Sequence, residues 1–208
     1  MPRCRKPFII CWNDKIPEYG KGGRETSGVS RCETGKTSSR PAGERKNGMD
    51  RVNRILCSPR YLECVEKTRK WETDRIFCRH DMAHFLDVAR LSWMENLEKG
   101  LGIEKELIYA AALLHDCGRF QQYEDGTPHE LAGAKLAEGI LSDCGFQEAE
   151  REEILQAIAG HRDKTLAQEE SLRGILYRAD KRSRACFACP SEKACSWPDS
   201  KKNLRLER

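Results

Sequence analysis

The chain has five histidines in 208 residues, at positions 80, 84, 115, 129 and 161. His115 is followed directly by Asp116, at the end of the apolar stretch LIYAAALLHD that starts at Leu107. An imidazole and a carboxylate at the end of a buried segment are costly unless each has a partner. Ligation of a transition metal satisfies both at once, because such ions take nitrogen and oxygen ligands together. His84, His161 and Asp180 fall in similar places. His84 lies on an apolar stripe with Phe77, Val88 and Leu91, His161 continues Ile154 and Ile158, and Asp180 follows Leu172 and Leu176. A single histidine on an apolar face reads as a hydrogen-bonded core residue. Asp180, beside Lys181 and Arg182, reads alone as half of a surface ion pair of little worth. Those readings would have to hold independently at every position, and the joint pattern points to a metal site.

Such a site needs helices to position it. The spacing of apolar residues predicts a long helix over 73–98, stopped by Gly100 with Leu101 beyond the cap, and an apolar helix over 103–116. In TPHELAGAKLAEGIL, Thr127 stands at the N-cap, Pro128 at the first helical position, and Glu130 closes a capping box. Gly145 ends that helix, and helices over 147–162 and 168–184 follow. No stretch alternates like a strand. The expected fold is all-α, a bundle of about five core helices after a shorter N-terminal one.

Composition narrows the class. Hydrophobic residues make up 38% and charged residues 34% of the chain, and no apolar run is long enough to span a membrane. Phe8-Ile9-Ile10 is too short for the core of an export signal, so a cytoplasmic protein is expected. The 11 cysteines then read as free thiols or metal ligands rather than disulfides. Residues 1–48 carry 11 Lys+Arg against 5 Asp+Glu, and the rest carries 26 against 28. The basic excess therefore belongs to the N-terminal segment, and no specific nucleic-acid surface is expected on the folded part. That segment also holds 7 of the 16 glycines and 4 of the 8 prolines. It reads as a disordered basic extension, followed by a folded domain over 49–185 and a Cys-containing tail over 186–208. TGKTS at 34–38 ends like a phosphate-binding loop, but the loop's first glycine is replaced by Ser30 and no strand leads in, so that reading is rejected.

HFLDVARL, LLHDCGRF and RADKRSR together resemble the motifs of the HD-domain superfamily of metal-dependent phosphohydrolases. The resemblance covers roughly residues 55–185. It implies a metal site of His84, His115, Asp116 and Asp180. HELAGAKLA and AIAGHRD add His129 and His161, as in HD proteins with two metals, where Asp116 would bridge the ions. HELAGA also resembles HD proteins that split symmetric dinucleoside tetraphosphates. The mixed nitrogen and oxygen ligands suit Fe or Mn better than Mg or Ca. The implied chemistry is hydrolysis of a phosphate ester or anhydride, of a small phosphorylated substrate such as a nucleotide, by a hydroxide shared between the ions. Asp116 is then the catalytic residue of the pair.

Arg119, three residues after the His-Asp pair, Lys181, beside Asp180, and His80, four before His84, are the candidate substrate contacts. Arg79 and Asp163 are weaker ones. Cys186, Cys189 and Cys195 can hold zinc or an iron–sulfur cluster if a fourth ligand, such as Cys64, Cys78 or Cys117, joins them. Otherwise they are reduced thiols, and Cys117 beside the pair reads as a core thiol. The same six ligands also occur in HD proteins that use a mixed-valent di-iron pair to activate oxygen, and a non-catalytic nucleotide-sensing module is the third reading.

Overall fold

The computed structural model describes residues 48–206. The basic extension expected at 1–48 therefore lies, Gly48 apart, outside the described residues. Among the described residues there are eight α-helices and no strand, so the fold is all-α. The helices are α1 (Asp50–Cys57), α2 (Pro59–Trp71), α3 (Met82–Lys99), α4 (Lys105–Leu114), α5 (Arg119–Glu124), α6 (His129–Asp143), α7 (Glu148–Gly160) and α8 (Leu172–Arg182).

α4 is the central element. It is apolar around most of its circumference, and Ala110 to Leu114 have no exposed surface. α1, α3, α6, α7 and α8 all pack against it. The His-Asp pair is thereby delivered to the middle of the bundle. Gly100 adopts φ 62°, with Leu101 N–H donating to the Asn96 carbonyl, the helix stop that the sequence predicts.

Three boundaries differ from the sequence pattern. The long helix does not begin at 73 but at Met82, where the Asp81 carboxylate accepts from His84 N–H as N-cap. Side chains capture the backbone ahead of it: Glu72 accepts from His80 N–H at 2.8 Å, and Arg75 Nε donates to the Cys78 carbonyl at 2.8 Å. Such local bonds compete with the helical ladder, so Phe77 is not part of the helical stripe. α6 begins at His129, with Pro128 at the N-cap position and no capping box. Thr127 N–H is taken by Asp125, and Glu130 Oε2 turns to within 3.6 Å of both His129 Nδ1 and Arg162. The capping box occurs instead on α7, between Gln147 and Glu150. α8 starts at Leu172 under the Ser171 cap, with Lys164–Gln168 forming a separate 3-10 turn.

After α8 the chain makes three short 3-10 turns and folds back. Asn203 Nδ2 donates to the carbonyls of Lys181 and Arg184, each at 2.8 Å, satisfying acceptors at the end of α8. Among the described residues no helix is long and apolar enough to cross a membrane.

Candidate metal centre

Five helices bring the predicted ligands to one point. His84 comes from the first turn of α3, His115 and Asp116 from the end of α4, His129 from the start of α6, His161 from the end of α7, and Asp180 from α8. All six are buried. They form two groups whose ligand atoms lie within 4.8 Å of one another: His84, His115 and Asp180, and Asp116, His129 and His161. Asp116 joins the groups. Its Oδ2 lies 3.1 Å from His115 Nε2 and 3.6 Å from His84 Nε2. Its Oδ1 lies 3.2 Å from His129 Nε2 and 3.8 Å from His161 Nε2. Asp180 Oδ1 closes the first group, 3.5 Å from His84 Nε2.

The other ring nitrogens are occupied by the protein. His115 Nδ1–H donates to the Ala112 carbonyl at 2.7 Å, and His161 Nδ1–H to the Ile158 carbonyl at 2.6 Å. Ser183 Oγ donates to the Asp180 carbonyl at 2.8 Å, leaving its oxygen to accept from His84 Nδ1, 3.2 Å away. His129 Nδ1–H faces Gln122 Oε1 at 2.5 Å. Each bond places the proton on Nδ1 and turns the Nε2 lone pair inward, as ligation requires. The Nε2 atoms of His84 and His115 are buried without a hydrogen-bond partner. Orphaned nitrogens aimed at two buried carboxylates fit a divalent metal.

The model of the HD domain family matches residues 82–185, half of the chain. This chain belongs to the HD-domain family. An uncharacterized protein of Clostridium beijerinckii is 46% identical over 158 residues, which are 76% of this chain and 99% of that protein. Ribonuclease Y of Mycoplasma mycoides subsp. mycoides and of Mycoplasma capricolum subsp. capricolum are each 26% identical over 136 residues, 62% of this chain but 26% of their own length. The chain thus spans about a quarter of those two relatives. No solved structure matches it significantly. The HD superfamily comprises metal-dependent phosphohydrolases that bind divalent metals, as the sequence motifs implied.

Around these six residues lies a second layer, of which sequence reasoning named His80, Arg119 and Lys181 and missed Glu72, Tyr123 and Arg184. His80 precedes α3 rather than riding on it, yet its Nε2 points at Asp116 Oδ2 from 3.8 Å. Glu72 holds the other side of the ring, with Oε1 2.5 Å from Nδ1, and Tyr123 O–H donates to the same oxygen at 2.7 Å. Nothing in the spacing of Glu72 or Tyr123 marks them; the turn over 72–81 brings the first into place, and α5 the second. Arg119 reaches Gln122 Oε1 at 3.3 Å and stands 2.9 Å from His129 Nδ1. Lys181 Nζ is 2.5 Å from Asp180 Oδ2, and Arg184 lies 3.2 Å from Asp180 Oδ1. Arg184 follows Asp180 by four residues, just past the end of α8, a signal present in RADKRSR.

Other candidates fall elsewhere. Arg79 bonds to the backbone of Thr73 and Arg75. Asp163 is exposed and caps the turn at Thr165. Cys117 is buried, its Sγ 3.4 Å from the Gly133 carbonyl, and burial pushes its thiol well above the usual range, which makes it an inert core thiol. Cys186, Cys189 and Cys195 do not form a group with ligand atoms in mutual reach, with or without a fourth residue. Among the described residues the three sulfurs therefore do not come together as the zinc site that the sequence allows.

Burial would raise the pKa values of Asp116 and Asp180. Neighbouring charges reverse this, from His115 and His80 at Asp116, and from Lys181 and His115 at Asp180, and both carboxyls lie below the usual range. Burial lowers His161 to about 3 and also lowers His84, keeping both rings neutral at pH 7 and free to ligate. Glu72 is pulled down to about 2: burial opposes ionisation, but bonds from His80 and Tyr123 outweigh it. A depressed carboxyl stabilises the fold above its unfolded value, and that stability is lost as pH falls through the folded value. Glu72→Gln is therefore expected to flatten the decline of Tm between pH 4.5 and about 2, measured by calorimetry against wild type. An unchanged profile would mean that Glu72 is not held as an ion.

Proposed function

We propose that this HD domain hydrolyses a phosphate ester or anhydride of a nucleotide, using two divalent ions. The observation that carries this reading is Asp116, whose two carboxylate oxygens face separate sets of histidines. His84, His115, Asp116 and Asp180 would hold one ion, and Asp116, His129 and His161 the second. The ligand chemistry favours Fe or Mn. When bound, such ions supply Lewis acidity toward phosphoryl oxygens and lower the pKa of water.

The chain's own residues orient and shield this chemistry. Ser183, Ala112, Ile158 and Gln122 fix the imidazole tautomers. Lys181 and Arg184 hold Asp180 from both of its oxygens. His80, braced by Glu72, presents Nε2 to the same oxygen of Asp116 as the first ion site and would contact a bound phosphate. Arg119 holds Gln122 and adds positive charge beside His129, where a phosphate would need it. The names of the two mycoplasma relatives, ribonuclease Y, add support for phosphoester chemistry on a nucleotide.

The test is metal content on protein purified without oxygen, followed by an assay of phosphoester hydrolysis. Two first-row ions per chain are expected, falling to about one in the His129→Ala/His161→Ala double variant. Nucleotide hydrolysis is expected to proceed without oxygen. Oxygen uptake coupled to turnover would replace this reading by the di-iron oxygenase, and nucleotide binding without turnover by the sensing module. One ion per chain, unchanged in the double variant, would remove His129 and His161 from the ligand set.

A further inference from the structure

A second feature lies beside the metal centre, with about half of its lining outside the residues that the family model matches. The tail folds back along α8 and, with α3 and the turn after α7, encloses a cleft of about 1040 Å³. Nine Lys and Arg side chains line it against two carboxylates, Asp87 and Asp199. Residues 49–208 carry 26 basic and 28 acidic side chains, so this is segregation of charge and not a basic composition. Some of the cations are fixed in place. Lys202, nearly buried, is held by Glu192 and Asp199, Lys181 and Arg184 are held by Asp180, and Arg90, Arg162 and Arg182 pair with Asp87, Glu130 and Glu95. Lys164 and Lys201 are exposed and make no ion pair among the described residues.

The same walls carry aromatic rings. Phe187 and Trp197 are 50% and 38% exposed, and Tyr177 lines the cleft on the α8 side. Rings left open to solvent among cations are the combination that holds single-stranded nucleic acid: the charges follow the phosphates and the rings stack on bases without regard to sequence. The volume lies just above the range for a small-molecule site, about 300–1,000 Å³.

We infer that this cleft binds a single-stranded oligonucleotide. Lys181 and Arg184 link it to the centre, since both line the cleft and both bond to Asp180. A strand lying in the cleft therefore has its backbone led toward the metal ligands. That last step rests on the hydrolytic reading of the centre; binding in the cleft does not.

The experiment is fluorescence anisotropy of a labelled 12-residue oligothymidylate with the metal-loaded full chain, its intactness checked on a denaturing gel. Affinity is expected to fall with salt, with a log–log slope of roughly −4 if about six phosphates are neutralised. Lys164→Ala/Lys201→Ala should make that slope shallower by roughly 1.4. Trp197→Ala should weaken binding by roughly tenfold. Wild-type affinity in these variants would overturn the inference, as would competition by AMP at the same concentration as the 12-mer, or equal affinity for duplex. Hydrolysis of bis(p-nitrophenyl) phosphate, run in parallel, separates the two readings. Hydrolysis without oligonucleotide binding removes the cleft and leaves the centre. Oligonucleotide binding with no hydrolysis under any metal leaves the cleft and removes the hydrolase.

Discussion

Asp116→Asn is expected to lower phosphoester hydrolysis by about a thousandfold or more while leaving the fold intact. Asparagine has nearly the same shape, so the packing at the end of α4 is kept. It lacks the charge, and only one of its two terminal atoms can accept, so one of the two histidine groups loses its shared oxygen. A bridging carboxylate supports several kcal/mol of transition-state charge stabilisation by metal ions, and each 1.4 kcal/mol is about tenfold in rate. Metal content should fall below that of the wild type in the same preparation. A readout independent of activity is available in the metal-free protein. Burial lowers the His115 imidazole, but the neighbouring Asp116 carboxylate more than reverses this and raises it. An NMR titration should therefore find the His115 pKa lower in Asp116→Asn than in wild type. The sign for stability follows. A raised imidazole stabilises the fold below its unfolded pKa and loses that contribution as pH rises through the folded value. The variant should lack this contribution. Full activity with unaltered metal content would remove Asp116 from the centre.

Gly118→Ala is expected to lower Tm by about 10 °C or to prevent folding. Gly118 follows the His-Asp pair by two residues, and α6 crosses directly over it. A Cβ there would collide with the backbone N of Gly133 and lie 2.6 Å from the His129 carbonyl and 2.8 Å from the Ala132 carbonyl carbon. These are backbone atoms of α6, so no side chain can rotate out of the way. Either the helix moves off the turn or the turn opens. Overpacking costs about 1–3 kcal/mol where side chains can shift, and backbone against backbone should exceed that. At about 2–4 °C per kcal/mol for a chain of this size, the shift is of order 10 °C. Moving α6 also withdraws His129 from Asp116, so folded variant should retain about one metal per chain. Gly102→Ala is the comparison. Gly102 has φ 72° but nothing within 4 Å of a new Cβ, so only backbone strain of about 1 kcal/mol is felt. Equal Tm values for the two variants would show that the α6 approach is not tight.

The candidate ligands were legible because their cost is local. Each of His84, His115, His161 and Asp180 interrupts an apolar face, and burying such a group without a purpose is penalised wherever it occurs. The motifs around them were specific enough to imply the HD family, which the match over 82–185 then established. The helical fold was legible for the same reason, since apolar spacing is a property of neighbours in the chain. Phe77 shows the limit. It sits in register with His84, but no periodicity reveals that Glu72 captures the backbone at His80 and that Asp81 restarts the helix. Thr127 and Glu130 likewise form a capping pattern in sequence that Asp125 and Arg162 undo in space.

What only the tertiary structure decided depends on partners far apart in the chain. Glu72 and Tyr123, 51 residues apart, meet on His80's side of the centre. Asn203 ties the tail to the end of α8 across 22 residues from Lys181. The cysteines of that tail have a metal-binding spacing, but folded they do not gather into one group of ligand atoms. Charge makes the same point. Counted along the chain, the residues after the N-terminal extension are nearly neutral, and a nucleic-acid surface is not expected. Folded, they put nine cations, several of them in ion pairs, and three rings around one cleft. A sum over residues has no direction, whereas a field in a cleft depends on which side chains share it. By itself, the sequence determined the all-α class, the six metal-type side chains and the resemblance to a hydrolase superfamily. Which oxygen of Asp116 faces which histidines, and what lies beside them, was decided by the packing of α3, α6, α7 and α8 around α4.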